Sequence, residues 1–138
     1  MTAPPTSAKP DSIASVGASS RGGPAAPTHW AERVALEHLR ARGWRHLDSN
    51  YRLRGGELDL VFEAGGTVVV VEVKQRKSVA YGHPAESIDA RKLGRLRATA
   101  QHYASYELRR PHTAIRLDAV LIVGTEQRFT LTHLEDVG

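Results

Sequence analysis

Apolar residues along the chain recur first with the period of a helix and then with the period of strands. Residues 31–39 place most of their apolar side chains on one arc of a helix that ends near Arg42, where Gly43 follows. Thr28 is the expected N-cap of this helix. Glu32 falls inside the apolar arc, which is an unusual place for a carboxylate and needs a reason.

Three strands are predicted to follow the first helix. Residues 44–53 form a loosely patterned strand. Residues 57–63 alternate between apolar and polar positions, which predicts that Leu58 and Leu60 share one face. Residues 67–74 are β-branched and apolar up to their charged end, as expected of a central strand.

A longer helix and two short strands complete the pattern. The helix is predicted over residues 85–108, and Pro111 prevents its continuation. Residues 115–123 and 129–134 then alternate as two strands joined through Gly124. The order α-β-β-β-α-β-β predicts an α/β or α+β domain with a mixed sheet of about five strands flanked by helices.

The composition changes sharply near Thr28. Five of the seven prolines lie in residues 1–28, together with many Ser, Ala and Gly residues and few large apolar side chains. Such a segment cannot bury enough apolar surface to offset its ordering entropy. We therefore expect residues 1–28 to be a disordered leader and residues 29–138 to form one domain.

Composition also excludes or disfavours several classes of protein. The 138-residue chain has no cysteine, which excludes disulfides and thiolate zinc sites. It has no apolar run of about 18 residues and no signal-peptide pattern, so no membrane association and a cytoplasmic location are expected. A net charge of +4 permits a polyanionic partner without requiring one.

A hairpin between the second and third strands is predicted to bring acidic side chains together. A turn centred on Gly65–Gly66 sets Asp59 opposite Glu72 and Glu57 opposite Lys74, with all four side chains on one face. An odd-length loop or a bulge would break this register. Facing carboxylates repel each other, so something should compensate their charge.

A hard divalent cation is one such compensation, because Mg²⁺ often takes one or two carboxylates together with water and substrate phosphate. Lys74 lies two residues from Glu72, where it can hold a water or stabilise phosphate charge, and Glu32 can add a carboxylate. The alternative is an ordinary Glu57–Lys74 ion pair, with Asp59 and Glu72 solvated at the end of the sheet. Spacing alone leaves both interpretations open.

Basic residues flank this hairpin and continue into the predicted second helix. A solvated helix face is the ordinary explanation of such a run, but contact with a phosphate backbone is favoured here because a phosphodiesterase-like site adjoins it. The candidate nucleic-acid-binding residues are Arg52, Arg54, Arg76, Lys77, Arg91, Lys92 and Arg95.

Two segments of the hairpin carry a resemblance to a known family. Residues 54–61 (RGGELDLV) and 70–76 (VVEVKQR) strongly resemble the YraN-like family of bacterial proteins. That family is assigned to the PD-(D/E)xK nuclease superfamily and is similar in architecture to the archaeal Holliday-junction resolvases. The resemblance covers nearly all of residues 29–138. Its further matches are residues 31–44, 50–52, 82–96 and 116–118.

This resemblance implies a restriction-endonuclease-like fold with a three-layer core and a set of site residues. Asp59 and Glu72 would bind Mg²⁺ or Mn²⁺, and the backbone carbonyl of Val73 would join them. Lys74 would be the catalytic lysine. Glu32 would be the helix-borne acid that completes the ligand shell or binds a second ion.

The acidic constellation and the resemblance together predict a metal-dependent endonuclease that hydrolyses DNA phosphodiester bonds, at branched or single-strand-containing structures. DNA is favoured over RNA as the substrate. A homodimer would suit paired cuts on a symmetric junction, although nothing in the sequence requires one. The alternative is a non-catalytic nucleic-acid-binding module of the same fold, which would show salt-sensitive binding without cleavage.

Overall fold

The computed structural model describes residues 24–80, 82 and 88–138, which form two helices and a five-stranded sheet. The elements are α1 (Trp30–Ala41), β1 (Arg45–Leu53), β2 (Gly56–Ala64), β3 (Thr67–Arg76), α2 (Ala90–His102), β4 (Ile115–Thr125) and β5 (Arg128–Leu134). A π-helical turn, Tyr103–Glu107, extends α2. The predicted order of helices and strands is confirmed. None of the helices in the described ranges is both long and apolar enough to cross a bilayer.

The strands lie in the order β1-β2-β3-β4-β5 across the sheet. Neighbouring strands are antiparallel except β3 and β4, which are parallel because the chain crosses over through α2 between them. α1 packs on one face through Ala35 and Leu39, and α2 packs on the other through Leu96 and Ala100. The mixed sheet between two helical layers is consistent with the expected restriction-endonuclease-like core.

The N-cap of α1 lies one residue later than predicted. His29 caps this helix in place of Thr28, because its Nδ1 accepts a hydrogen bond from the Ala31 N–H at 3.1 Å. The Glu32 carboxylate accepts a hydrogen bond from the His29 N–H at 3.5 Å, which completes a capping box. The Glu32 side chain is therefore held at the start of the helix by the backbone N–H of His29.

α2 is shorter than the helix predicted over residues 85–108. It begins one residue after Asp89, whose carboxylate accepts a hydrogen bond from the Lys92 N–H at 2.9 Å. Residues 83–87 lie outside the described residues. At the other end, the α-helical pattern gives way to the π-helical turn before residue 108 is reached. The aspartate cap was not predicted, although aspartate is a favoured N-cap residue.

The side-chain alternation predicted for β2 is wrong near Asp59, where β1 and β2 share a kink. Leu60 packs in the core beneath α1, but Leu58 packs in the core beneath α2, so the two side chains do not share a face. The strands pair on both sides of this point, while the pair Asn50–Asp59 is missing from their ladder. Asn50 has a φ of 53°, a left-handed conformation that asparagine adopts more readily than most residues. The kink therefore lies at the position of Asp59.

The described residues begin inside the segment that the sequence predicts to be a leader. Residues 24–28 lie alongside β1, where the Ala25 N–H donates a hydrogen bond to Asp48 at 3.4 Å. Pro27 is buried. The rest of the predicted leader, residues 1–23, lies outside the described residues.

A buried carboxylate ties the C-terminal segment to β4. Asp118 accepts two hydrogen bonds from the Arg116 guanidinium at 2.8 Å each, one from His133 at 2.8 Å and one from the Asp136 N–H at 2.9 Å. Burial alone would raise the pKa of Asp118, but the hydrogen bonds outweigh it and hold this pKa below its usual value. The ionised carboxylate therefore organises this part of the sheet.

Candidate active site

The site lies where β2 and β3 separate, just beyond the last pair of their antiparallel ladder. Residues 60–64 of β2 pair with residues 67–71 of β3, which confirms the predicted turn and register over these residues. Asp59 and Glu72 are the next residues on the two strands, and both face one cavity of about 210 Å³. The cavity is lined by Gly56, Glu57, Asp59, Glu72, Lys92, Arg95 and Leu96.

Asp59 is a partly buried carboxylate with little hydrogen bonding. Its Oδ2 accepts a hydrogen bond from the Val73 N–H at 2.9 Å, which is the one hydrogen bond it makes with the described residues. Burial, followed by the charge of Glu72, raises the pKa of Asp59 to about 8 against the lowering effect of this hydrogen bond. The charges of Glu32 and Glu57 add to the rise. Burial and the neighbouring acids therefore disfavour the ionised form of Asp59.

Glu72 is balanced by two lysines. It is 5% exposed, and its Oε2 lies 3.2 Å from Lys74 Nζ and 2.9 Å from Lys92 Nζ. Burial and then contact with Lys92 lower the pKa of Lys74. Lys92 reaches Glu72 from the first turn of α2. A side chain that the sequence assigned to the nucleic-acid-binding surface thus lies at the centre of the site.

The Glu57–Lys74 ion pair that the sequence left as an alternative is not formed in the described structure. Lys74 contacts Glu72 instead, and Glu57 lies with its Oε2 3.4 Å from Arg52 Nε. The pairing of β2 with β3 ends before Asp59, so Glu57 and Lys74 are not opposite each other in the ladder. The predicted register therefore holds up to the site and fails beyond it.

Asn50 is a site residue that the pattern of acids and bases does not reveal. Its Nδ2 donates to Glu32 Oε1 at 3.2 Å and to Glu57 Oε2 at 3.4 Å, so one amide joins the acid of α1 to an acid of β2. Glu32 thereby approaches Asp59, whose pKa its charge helps to raise. The only signal for Asn50 in the sequence was its place in the matched segment 50–52.

The backbone of Val73 faces the carboxylate of Asp59. The N–H and C=O groups of one strand residue point to the same edge, and successive residues alternate between the two edges. The Val68 N–H donates to Ala114 on the β4 side, whereas the Val73 N–H donates to Asp59 on the β2 side. The Val73 carbonyl therefore also points to the β2 side, where Asp59 lies.

Two carboxylates and one carbonyl suit a hard divalent cation. Among the described residues, no three acidic or histidine side chains converge to form a cation site by themselves. Mg²⁺ is commonly bound by one or two carboxylates with water and substrate phosphate, and Asp59, Glu72 and the Val73 carbonyl meet that requirement. The ligand roles of these three residues and of Glu32 stay predictions.

The predicted nucleic-acid-binding residues are only partly brought together. Lys92 and Arg95 line the cavity, and Arg52 contacts Glu57, which also lines it. The other four lie exposed outside the cavity: Arg54, Arg76, Lys77 and Arg91. Their contact with nucleic acid stays a prediction.

The chain matches one known protein family over most of its length. Residues 31–122 match the family described as uncharacterised protein family UPF0102. The chain belongs to this family. UPF0102 is the YraN-like family and belongs to the restriction-endonuclease-like nuclease superfamily, so the family predicted from the hairpin segments is confirmed.

Relatives within UPF0102 match most of the domain. The UPF0102 protein of Thermus thermophilus is 45% identical over 105 residues, which cover 76% of this chain and 90% of the relative. The UPF0102 protein of Arthrobacter sp. is 41% identical over 108 residues, covering 78% of this chain and 91% of the relative. That of Methylococcus capsulatus is 47% identical over 92 residues, covering 67% of this chain and 73% of the relative. The site residues from Glu32 to Arg95 all lie within the range that matches UPF0102.

Proposed function

We propose that this UPF0102 protein is a metal-dependent endonuclease that hydrolyses DNA phosphodiester bonds, at branched or single-strand-containing structures. The observation that carries the proposal is the meeting of Asp59, Glu72 and Lys74, with two carboxylates close enough for Glu72 to raise the pKa of Asp59. Membership of UPF0102 supports the fold and the superfamily, and the site residues supply the argument for the reaction.

Asp59, Glu72 and the Val73 carbonyl are the groups that would hold the ion. Bound Mg²⁺ or Mn²⁺ would supply Lewis-acid polarisation of the scissile phosphate and a lower pKa for the attacking water. The Lys74 ammonium would hold that water through a hydrogen bond and offset the negative charge that develops on the phosphate. Asn50, by binding Glu32 and Glu57 together, would keep the neighbouring acids oriented.

Lys92 and Arg95 would bind the phosphates of the substrate beside the cleaved bond. Both line the cavity, and both belong to the first half of α2. The arginine fork is suited to two phosphate oxygens at once, whereas the lysine ammonium acts as a compact point charge. In the free protein Lys92 is held by Glu72, so it is already oriented towards the cavity.

A non-catalytic nucleic-acid-binding module of the same fold is the second candidate. It is favoured by the two lysines at Glu72 Oε2, because their ammonium groups balance the Glu72 charge without a metal ion. Such a module would bind nucleic acid with an affinity that falls as salt rises, and it would give no products with any metal.

Cleavage of labelled DNA separates the two candidates. The substrates are single-stranded, duplex, flap and four-way-junction DNA, each incubated with the purified protein in EDTA, Mg²⁺ or Mn²⁺. Lys74→Ala removes the proposed catalytic ammonium, and Arg128→Ala removes a positive charge from an exposed position on β5 as the matched control. Circular dichroism of each variant shows whether the fold is retained.

Metal-dependent products that are lost in Lys74→Ala and kept in Arg128→Ala are the expected result. Asp59→Ala should also abolish cleavage while the fold survives. DNA binding without products from any of the four substrates, with either metal, would instead assign the protein to the binding module.

A further inference from the structure

An aromatic pair of half-buried His102 and exposed Tyr106 lies at the end of α2, outside the site described above. The rings of His102 and Tyr106 have centroids 4.4 Å apart and planes inclined by 32°. Tyr106 is 65% exposed, the highest value among the large hydrophobic side chains of the described residues. Core packing therefore does not explain why an aromatic ring is placed here.

The aromatic pair continues a line of two basic residues, one of which lines the cavity. At about 100° per residue, Arg91, Arg95 and His102 lie within about 40° of one another around α2, and Tyr106 stacks beside His102 from the π-helical turn. Arg95 lines the cavity, and Tyr106 lies roughly 15 Å further along, because His102 is about 10 Å from Arg95 at 1.5 Å per residue and Tyr106 is about one π-helical turn beyond it. We call these four residues the α2 stripe. That length corresponds to roughly five nucleotides of a stacked strand at 3.4 Å each.

Two described acids close in sequence to the α2 stripe make contacts elsewhere. Glu107 follows Tyr106, but its carboxylate accepts a hydrogen bond from the Tyr51 hydroxyl at 3.3 Å. Asp89 caps the start of α2 through the Lys92 N–H. The stripe thus presents positive charge and aromatic surface together. It ends in a π-helical turn, a rare form that is frequent at functional sites.

We propose that the α2 stripe binds a single strand of nucleic acid, with phosphates on Arg91 and Arg95 and an unpaired base stacked on the His102–Tyr106 pair. Positive charge combined with aromatic side chains is the usual means of holding single strands, because every unpaired base offers a flat face. In a duplex the base faces are already stacked inside the helix. The inference rests on the proposed function and narrows its substrate to DNA with a single strand beginning within about five nucleotides of the cleaved bond.

Binding measured by fluorescence anisotropy in EDTA tests the inference without requiring cleavage. The probes are a labelled oligothymidylate, an abasic oligonucleotide of the same length and charge, and a duplex. Tyr106→Ala should raise the Kd for oligothymidylate about 5- to 150-fold and leave the Kd values for the abasic strand and the duplex unchanged. Tyr106→Phe keeps the aromatic face and should bind like the wild type.

Phe129→Ala is the matched control, because Phe129 is an exposed aromatic on β5 that contacts Trp30 rather than α2. It should bind all three probes like the wild type. Unchanged oligothymidylate binding by Tyr106→Ala would overturn the inference, as would an equal loss for the abasic strand. If DNA is cleaved but Tyr106 proves irrelevant, the proposed function survives without the inference. If Tyr106 is required for single-strand binding but no substrate is cleaved, the single-strand site is supported and the proposed nuclease activity fails.

Discussion

Glu72 is the residue for which a bound metal ion and the two lysines would compete. Lys74 and Lys92 both reach its Oε2, so a cation that binds this carboxylate must compete with two ammonium groups. Removing Lys92 should therefore tighten Mn²⁺ binding several-fold in the absence of DNA, even if it weakens DNA binding. Isothermal titration calorimetry measures the change. Arg91→Ala, which removes the same charge from an exposed neighbour, is the control, and a weaker Mn²⁺ affinity in Lys92→Ala alone would contradict the prediction.

Asp59 makes the stability of the metal-free protein depend on pH. Its pKa is about 8 in the fold against an ordinary 3.8, so between these values the folded protein keeps a proton that the unfolded chain has lost. The free energy of unfolding contributed by Asp59 therefore falls as pH rises through this window. Asp59→Asn should have a flatter profile and a higher Tm than the wild type at about pH 8, in thermal unfolding with EDTA. Glu126→Gln, at an exposed position, should follow the wild type; an identical slope in Asp59→Asn would refute the assignment.

The sequence predicts the acids of the site better than it predicts their partners. Asp59 and Glu72 follow from the hairpin turn, because strand register is a local property of the chain. The contact of Lys92 with Glu72 depends on how α2 is rotated against the sheet, which the helical period alone does not determine. The left-handed conformation of Asn50 is equally hidden, since it interrupts the alternation of a paired strand that the sequence pattern presents as continuous.

The docking of α2 on the sheet depends on a glycine in β2. A Cβ on Gly56 would lie 2.0 Å from Thr99 Oγ1, so Gly56→Ala must displace Thr99 or move the helix. Overpacking of this kind costs about 1–3 kcal/mol of unfolding free energy. Thr99→Ala in the same chain should recover part of the loss, because it removes the clashing hydroxyl. Urea denaturation of both single variants and the double variant measures the coupling, and simple additivity would show that the two residues do not clash.

Gly94, within α2 itself, is expected to accept a Cβ, unlike Gly56. A Cβ at this position meets nothing within 4 Å. Gly94→Ala should therefore stabilise the protein by roughly 0.5–1 kcal/mol, since alanine favours the helix over glycine. The same denaturation experiment checks it. A destabilised Gly94→Ala would mean that the surface of α2 around residue 94 is not open.

Elements were predicted reliably where the pattern is long and regular. β3, with its continuous β-branched run, and the parallel partner β4 correspond closely to the predicted strands. The first residues of α1 and α2 differ from the prediction because their N-caps depend on single side chains, a histidine in α1 and Asp89 in α2, whereas the predicted end of α1 near Arg42 is correct. The opposite faces of Leu58 and Leu60 were missed because a kink changes the period without changing the sequence pattern.

For the molecule as a whole, we expect Asp118 to contribute to the loss of stability at acidic pH. Its pKa is held below the ordinary value of 3.8, so its contribution to stability is fully present above that value and is lost as pH falls through the lower folded pKa. Asp118→Asn should lower the Tm at neutral pH and lessen the further decrease below about pH 4. Thermal unfolding across this range checks both. A variant with wild-type stability at neutral pH would show that the Arg116 and His133 contacts contribute nothing.

The parallel pairing of β3 with β4 has a consequence for how the protein acquires its structure. β1, β2 and β3 are successive antiparallel strands, so the contacts that bring Asp59 and Glu72 together are local and should form early in folding. Lys92 arrives only when the crossover through α2 closes and β4 joins β3, a step with a large loop-closure entropy. The newly formed strands would therefore pass through an interval in which Glu72 lacks one of its two ammonium partners.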